Sequence, residues 1–371
     1  MKIEDFNPLK WYNVFAKKLI PPRKDEVLMQ KIVPIRCPKC NNKDSFYRYG
    51  KDKDGYQKYL CRKCNHQFAP DRPVSKRTPK YPRCPVCGKA TFLHHDYEYY
   101  SNYRCCDKKC NHSMFAYKPT NIPPASMSKL TGKVDFKRMR YPVHIIITAL
   151  SMFYLGKNSF RNIALILRTV YNIKVSHTTI SNWCKKFAPL FNNISLELIP
   201  MLDFNSDEWH ADETVVKISG KKYYIWFIMD SETRFVLGFH LSPYRNSVQA
   251  FSLLNSVKDL GTTRAIVSDR YSAYKVPVKA ILGDSVTHIR VESFKDDISN
   301  NLIESFHHQF KAWYNTKQGF NSFESANNLI SMFLFFYNFV RPHSSLNGLT
   351  PAQVAGLNLT AKEKKKYLLV A

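Results

Sequence analysis

A chain of 371 residues is longer than one domain usually needs; at roughly 150 residues per domain, two or three are expected. Its hydrophobic content of 44% is that of a globular protein, and no apolar run reaches the about 20 residues that span a bilayer. The opening MKIEDFNPLKWYNVF lacks the clean apolar core of a secretory signal, so a cytoplasmic protein with no membrane partner is expected.

The net charge of +27 is unevenly placed. Residues 1–200 hold 37 Lys and Arg against 13 Asp and Glu, whereas residues 201–371 hold 19 against 16. A basic front half on a nearly neutral body suits a polyanion-binding arm, because phosphate contacts supply most non-specific nucleic-acid affinity. Basic charge also suits a membrane surface, but no basic amphipathic helix with a broad apolar face is present.

After an N-terminal segment (1–30) come the cysteines, nine of ten lying between Cys37 and Cys110. Cys37 and Cys40 form one CxxC knuckle, Cys61 and Cys64 a second, and four thiolates so spaced make a tetrahedral zinc site. Between them FYRYGKDKDGYQKYL reads as two strands turning at Asp54-Gly55. That is a zinc ribbon, residues 31–70. The pattern repeats over residues 80–118, where Arg83-Cys84-Pro85-x-Cys87 echoes Arg36-Cys37-Pro38-x-Cys40. The second quartet is Cys84, Cys87, Cys105 and Cys110, with Cys106 able to stand in for Cys105 on spacing alone. His66 and His112, each following a closing knuckle, read as structural. Disulfides do not suit a cytosolic chain. Two structural Zn²⁺ ions are therefore expected, on small surfaces rich in Lys, Arg and Tyr.

Proline-bearing segments at 70–82 and 119–137 read as linkers. Helical periodicity then starts at Pro142 and defines an all-α domain over 138–195. VHIIITALSMFYLG closes at Gly156, a second helix follows Ser159, and a third starts after Ser176, a good N-cap, and runs to Phe187. Its face Ile180, Trp183, Phe187 packs inward, leaving His177, Thr178, Ser181, Asn182 and Lys185 toward DNA. This is a helix-turn-helix with its recognition helix last.

From Asp207 the period becomes that of strands. The order βββαβαβα over 203–357 is that of an RNase H-like α/β domain, a mixed five-stranded sheet flanked by helices, whose first and fourth strands are neighbours. A basic tail, 358–371, follows. Asp212 falls in the first strand, Asp269 at the tip of the fourth, and Glu304 on a long helix starting near Asp297. Gathering three acids is costly without a cation. Two Mg²⁺ or Mn²⁺ ions about 3.5–4 Å apart would offset that and activate a water or 3′-hydroxyl toward a phosphodiester. Strand parity turns Glu213 away from Asp212, while His210 shares the Asp212 face and is expected to support it. Asp207 and Glu208 are nearby acids without an assigned role.

The 34 residues between Asp269 and Glu304 resemble the DD(34)E spacing of bacterial and archaeal insertion-sequence transposases, relatives of retroviral integrases. Asn300-Asn301-Leu-Ile-Glu304-Ser-Phe-His307-His308-Gln-Phe-Lys311 looks like that family's NNxxE…K block. Tyr337-Asn-Phe-Val-Arg341-Pro-His343-Ser-Ser-Leu346-Asn-Gly348-Leu-Thr350-Pro-Ala352 is similar to its YNxxRPHxxLxGxTPA ending. The resemblance covers residues 140–357 and is nearest the IS-six-type elements, from whose simplest members the doubled ribbon departs. It implies cutting at element ends and joining of 3′-hydroxyls to target DNA. Further implications are Lys311 as a DNA contact, double-stranded terminal repeats and target as partners, and a dimer or higher assembly in the nucleoid. Arg341 and His343 read as stabilising the fold or touching DNA. A regulator that keeps the fold without the chemistry, and a nuclease or resolvase that cuts without joining, are the alternatives.

Overall fold

The computed structural model describes residues 35–72, 81–129, 134–291, 300–317 and 319–367; the expected N-terminal segment lies outside them. The chain divides into two units, residues 1–78 and 79–371.

In the first unit β1 (Phe46–Lys51), β2 (Gln57–Cys61) and β3 (Gln67–Phe68) form an antiparallel sheet. The β1–β2 turn is where the sequence places it. Gly55 takes the left-handed conformation, and Asp52 Oδ1 accepts from the backbone of Asp54 and Tyr56 at 3.0 and 2.9 Å. Phe46 and Phe68 pack edge to face, and His66 stacks on Phe68. So little apolar surface cannot hold a fold alone.

The second unit begins with the second ribbon, β4 (Thr91–Asp96), β5 (Tyr100–Cys105) and β6 (Ser113–Tyr117). Tyr100 stacks on Phe251 at 5.7 Å, and a small core of Ile122, Phe251 and Ala280 forms beneath Tyr99, Phe115 and Tyr117. His112 Nε2 lies 3.3 Å from Asp284 Oδ2, so this histidine braces the ribbon rather than joining its cysteines. Within the segment expected as a linker, Ser126 is fully buried; its hydroxyl donates to the Leu241 carbonyl and accepts from the Leu241 amide, at 3.1 and 2.9 Å. It thereby covers a sheet edge that would otherwise offer unpaired backbone groups.

The helical region holds α1 (Val143–Tyr154), α2 (Phe160–Thr169) and α3 (His177–Leu198). Ser159 and Ser176 cap α2 and α3 as their positions foretell, accepting from Asn162 N and Thr179 N. The third helix runs eleven residues past Phe187, straight through Pro189. Proline costs a helix one hydrogen bond, but here Phe187, Phe191, Ile194 and Leu198 continue one apolar stripe and are buried, with Phe191 against Phe335 at 4.7 Å. Tertiary burial outweighs the local penalty.

The catalytic-type sheet has the order β11-β10-β7-β8-β9, from β7 (Ser206–Ile218), β8 (Lys221–Asp230), β9 (Val236–Ser242), β10 (Thr263–Asp269) and β11 (Thr287–Val291). β7, β8 and β9 are antiparallel, and β10 joins β7 in parallel, as the element order requires. α4 (Ser247–Val257) and α5 (Lys275–Leu282) cover one face; α6 (Asn301–Tyr314) and α7 (Phe323–Phe335) cover the other, with Phe306 and Phe310 against Phe227. A π-helical turn, Phe336–Val340, and the short α8 (Pro351–Val354) and α9 (Ala361–Lys366) complete the chain. The sequence block around this turn has a structural role: Asn338 accepts from Val236 N and donates to Val236 O, and Tyr337 packs on Phe306 and His343. His343 is buried, consistent with its reading as a fold residue.

Candidate active site

Strand pairing brings Asp212 and Asp269 together. Val267 is in register with His210, so two residues on, Asp269 at the β10 tip stands beside Asp212 in mid-β7. Oxygens of Asp212, Glu213 and Asp269 all lie within 4.8 Å of one another. Glu304, in the first turn of α6, is outside that tight group but near enough for its charge to act on Asp212.

Each carboxylate has its own setting. Asp212 Oδ1 accepts from the Glu213 amide at 2.9 Å, and Oδ2 lies 3.4 Å from His307 Nδ1. Asp269 Oδ1 accepts from Tyr271 N at 3.0 Å. Glu213 Oε1 receives Arg245 Nε at 2.5 Å, and Oε2 receives the Tyr274 hydroxyl at 3.1 Å. Arg245 also lies 4.1 Å over the Tyr271 ring and 3.8 Å from Asp269 Oδ2.

Parity does send Glu213 to the Tyr274 face and Asp212 to the α6 face. The expectation that this removes Glu213 from the site is nevertheless incomplete, because Asp269 sits at the strand tip between the two and the longer glutamate reaches it. Burial, then the charges of Glu213, Asp269 and Glu304, push the Asp212 carboxyl up to about 8. Four carboxylates against the single paired guanidinium of Arg245 form a donor set suited to divalent cations.

The cysteines gather as two quartets. Sγ separations are 3.5 Å for both Cys37–Cys64 and Cys40–Cys61 in the first, and 3.8 and 3.4 Å for Cys84–Cys110 and Cys87–Cys105 in the second. Tetrahedral Zn–S bonds of about 2.3 Å require about 3.8 Å between sulfurs, so both sets fit zinc. The ambiguity in the second set resolves to Cys105, which is buried in the quartet while Cys106 is exposed. Accordingly, Cys105→Ser should lower bound zinc by one ion per chain and Cys106→Ser should leave it unchanged, as read by elemental analysis.

Residues 206–343 match the family described as a DDE domain. The chain carries a DDE domain. Residues 32–65, over the first ribbon, match the family described as an InsA N-terminal domain. The transposase for insertion sequence-like element IS431mec of Staphylococcus aureus is 23% identical over 233 residues, 61% of this chain and 99% of its own length. The transposase for insertion sequence element IS257 in transposon Tn4003, also from Staphylococcus aureus, is similar to the same extent. Among solved structures, the catalytic core domain of BIV integrase is 20% identical, covering 44% of this chain and 99% of that one, with a TM-score of 0.32.

Around the acids the chain has further supports, of which the sequence had singled out His210 alone. His210 is buried, with Nδ1 3.3 Å from Asn300 Oδ1 and Nε2 3.3 Å from Glu208 Oε2. Asn300 in turn caps α6, its carbonyl accepting from Glu304 N at 3.1 Å. His210 thus ties strand β7 to the helix start that carries Glu304. His307 was visible only as part of a motif; burial, reinforced by Lys311, pulls its imidazole down to about 4, leaving it neutral beside Asp212. Lys311 shares a face with His307, but its ammonium donates to the Val215 carbonyl and lies over Tyr314. On α3, His177, Thr178, Asn182 and Lys185 are exposed and Ser181 is partly so.

The Asp212 shift has a direct consequence. Without metal, the folded chain keeps a proton on Asp212 that the unfolded chain loses above about pH 4. That contribution to stability therefore declines as pH rises toward about 8. A divalent cation at these oxygens must displace the proton. Mg²⁺ should accordingly raise Tm more at about pH 8.5 than at about pH 6.5, and Glu213→Gln should move the onset to lower pH. Equal Mg²⁺ shifts at both pH values would contradict this placement of the cation.

Proposed function

We propose that this chain is a DNA transposase that binds the terminal repeats of an insertion sequence, cuts at the element ends and joins the 3′-hydroxyls to target DNA. The observation that carries the reading is the convergence of Asp212 and Asp269 on adjacent strands, with Glu304 at the start of the helix packed beside them. Asp212, Asp269 and Glu304 are the catalytic residues in this reading and hold two Mg²⁺ or Mn²⁺ ions. Those ions, when bound, supply a deprotonated nucleophile and stabilise the leaving oxygen of the phosphodiester. His307, neutral and against Asp212 Oδ2, restricts that carboxyl to one orientation. Asn300 and His210 fix the first turn of α6, and with it the bearing of Glu304.

The two ribbons, each holding Zn²⁺, and α3 would deliver this centre to double-stranded DNA, with Lys311 meeting the backbone near the acids. The family resemblance implies a dimer or larger assembly on paired ends. Among the described residues no helix is long and apolar enough to cross a membrane.

An assay with a duplex bearing the element's end, a supercoiled target and Mg²⁺ tests the proposal. Joined products support it. Cutting without joining would identify a nuclease or resolvase instead, and DNA binding with neither reaction a regulator.

A further inference from the structure

The reading face of α3 does not stand alone. His177, Asn182 and Lys185 line one wall of an open cleft of about 530 Å³, together with Arg161 of α2. The opposite wall belongs to the catalytic-type domain: Thr316, in the turn that ends α6, and Asn321, just before α7. Among the described residues no acidic side chain lines this cleft. It also receives the N-terminal ends of α2 and α3 from one side and of α7 from the other, each capped by a serine (Ser159, Ser176, Ser322). Amide-rich, positive helix ends and exposed cations are complementary to phosphate.

The two walls are fixed to one another. Tyr154 of α1 stacks on Trp313 of α6 at 5.7 Å and on Phe336 at 5.1 Å, and Phe191 of α3 packs on Phe335. A helix laid in a major groove has a sugar-phosphate strand along each flank. The cleft is large enough for one strand's backbone and too small for a duplex.

We infer that this cleft seats one backbone strand of the duplex whose major groove α3 enters, so that Thr316 and Asn321 of the catalytic-type domain clamp the same DNA that the recognition helix reads. The inference rests on the reading of α3 as a DNA-recognition helix. It assigns the α6–α7 turn a role in end binding that its sequence does not advertise. It also links recognition to chemistry through one rigid rod. Thr316 lies twelve residues beyond Glu304, about 18 Å along the helix axis. That corresponds to roughly five nucleotide steps. A phosphate held in the cleft is thus held at a set distance from the acid centre.

The test is duplex affinity of the full chain as a function of salt, with one probe carrying the element's end and one of unrelated sequence. Asn321 is exposed, so changing it leaves the core intact, which thermal melting verifies. Asn321→Glu should weaken binding of both probes by about tenfold, and Asn321→Lys should tighten it and steepen the salt dependence by about one ion. Asn182→Ala serves as the control on α3 and should weaken the element-end probe selectively. If Asn182→Ala weakens binding while both Asn321 variants behave as the parent, the far wall is not at the DNA. The inference is then overturned, and the transposase reading stands. If none of the variants alters binding, the recognition role of α3 falls as well.

Discussion

Replacing Asp212 by Asn is expected to abolish Mg²⁺-dependent joining, by about a thousandfold or more, while duplex affinity stays within about twofold of the parent. The asymmetry follows from the position of Asp212. Its side chain is held between the Glu213 amide and His307 and does not line the cleft that the exposed residues of α3 face. Asparagine keeps the shape and removes the charge. It also removes a carboxyl that burial, and then its acidic neighbours, have pushed up to about 8, so the metal-free variant should be at least as stable as the parent above neutral pH. Loss of joining with a gain in Tm at about pH 8.5 is a combination that simple misfolding does not produce. Joining at parental rate would remove Asp212 from the chemistry.

Stripping zinc is expected to have the second large effect. Four thiolates bring apparent binding energies of about 10–16 kcal/mol to structural zinc sites, and the apolar packing in either ribbon is far too small to substitute for it. In the second unit the damage should spread. Tyr100, Phe115 and Tyr117 cover Phe251 and Ala280, which belong to α4 and α5 behind the acid centre. Treatment with a strong zinc chelator should therefore lower the Tm of residues 79–371 as well as weaken recognition of the element's end. Cys84→Ser should reproduce the Tm loss without chelator. Unchanged melting in both cases would mean that the second ribbon folds independently of its metal.

Much of this architecture was legible in the sequence because its signals are local. CxxC pairs, the Asp54-Gly55 turn and the serine caps of α2 and α3 each act within a few residues. The sheet order followed from the alternation of strand and helix, and the meeting of Asp212 with Asp269 followed from that order. What escaped reading depends on contacts between distant segments. The sequence reading carried α3 only to Phe187, and the buried stripe from Phe187 to Leu198 explains why the helix continues through Pro189. Parity put Glu213 on the face it does occupy, but periodicity says where a side chain departs and not how far it reaches, so its approach to Asp269 was missed. Ser126 looked like part of a loose connection until its hydroxyl was seen paired with both backbone groups of Leu241. His307 and Asn300 carried no chemical signal of their own beyond membership in a motif.

The length of α3 bears on how such proteins can be recombined. One continuous helix of 22 residues, about 33 Å long, presents its first turns to the cleft and buries its last turns against α7. With α3 as the recognition helix proposed above, no flexible joint separates specificity from the body proposed to perform the reaction. Exchanging recognition modules between relatives by splicing at the apparent domain boundary near residue 195 would cut through a packed helix and strand Phe191 and Ile194 without partners. A workable chimera would have to carry α3 and α7 together, so specificity in this architecture is inherited in blocks rather than swapped as a cassette.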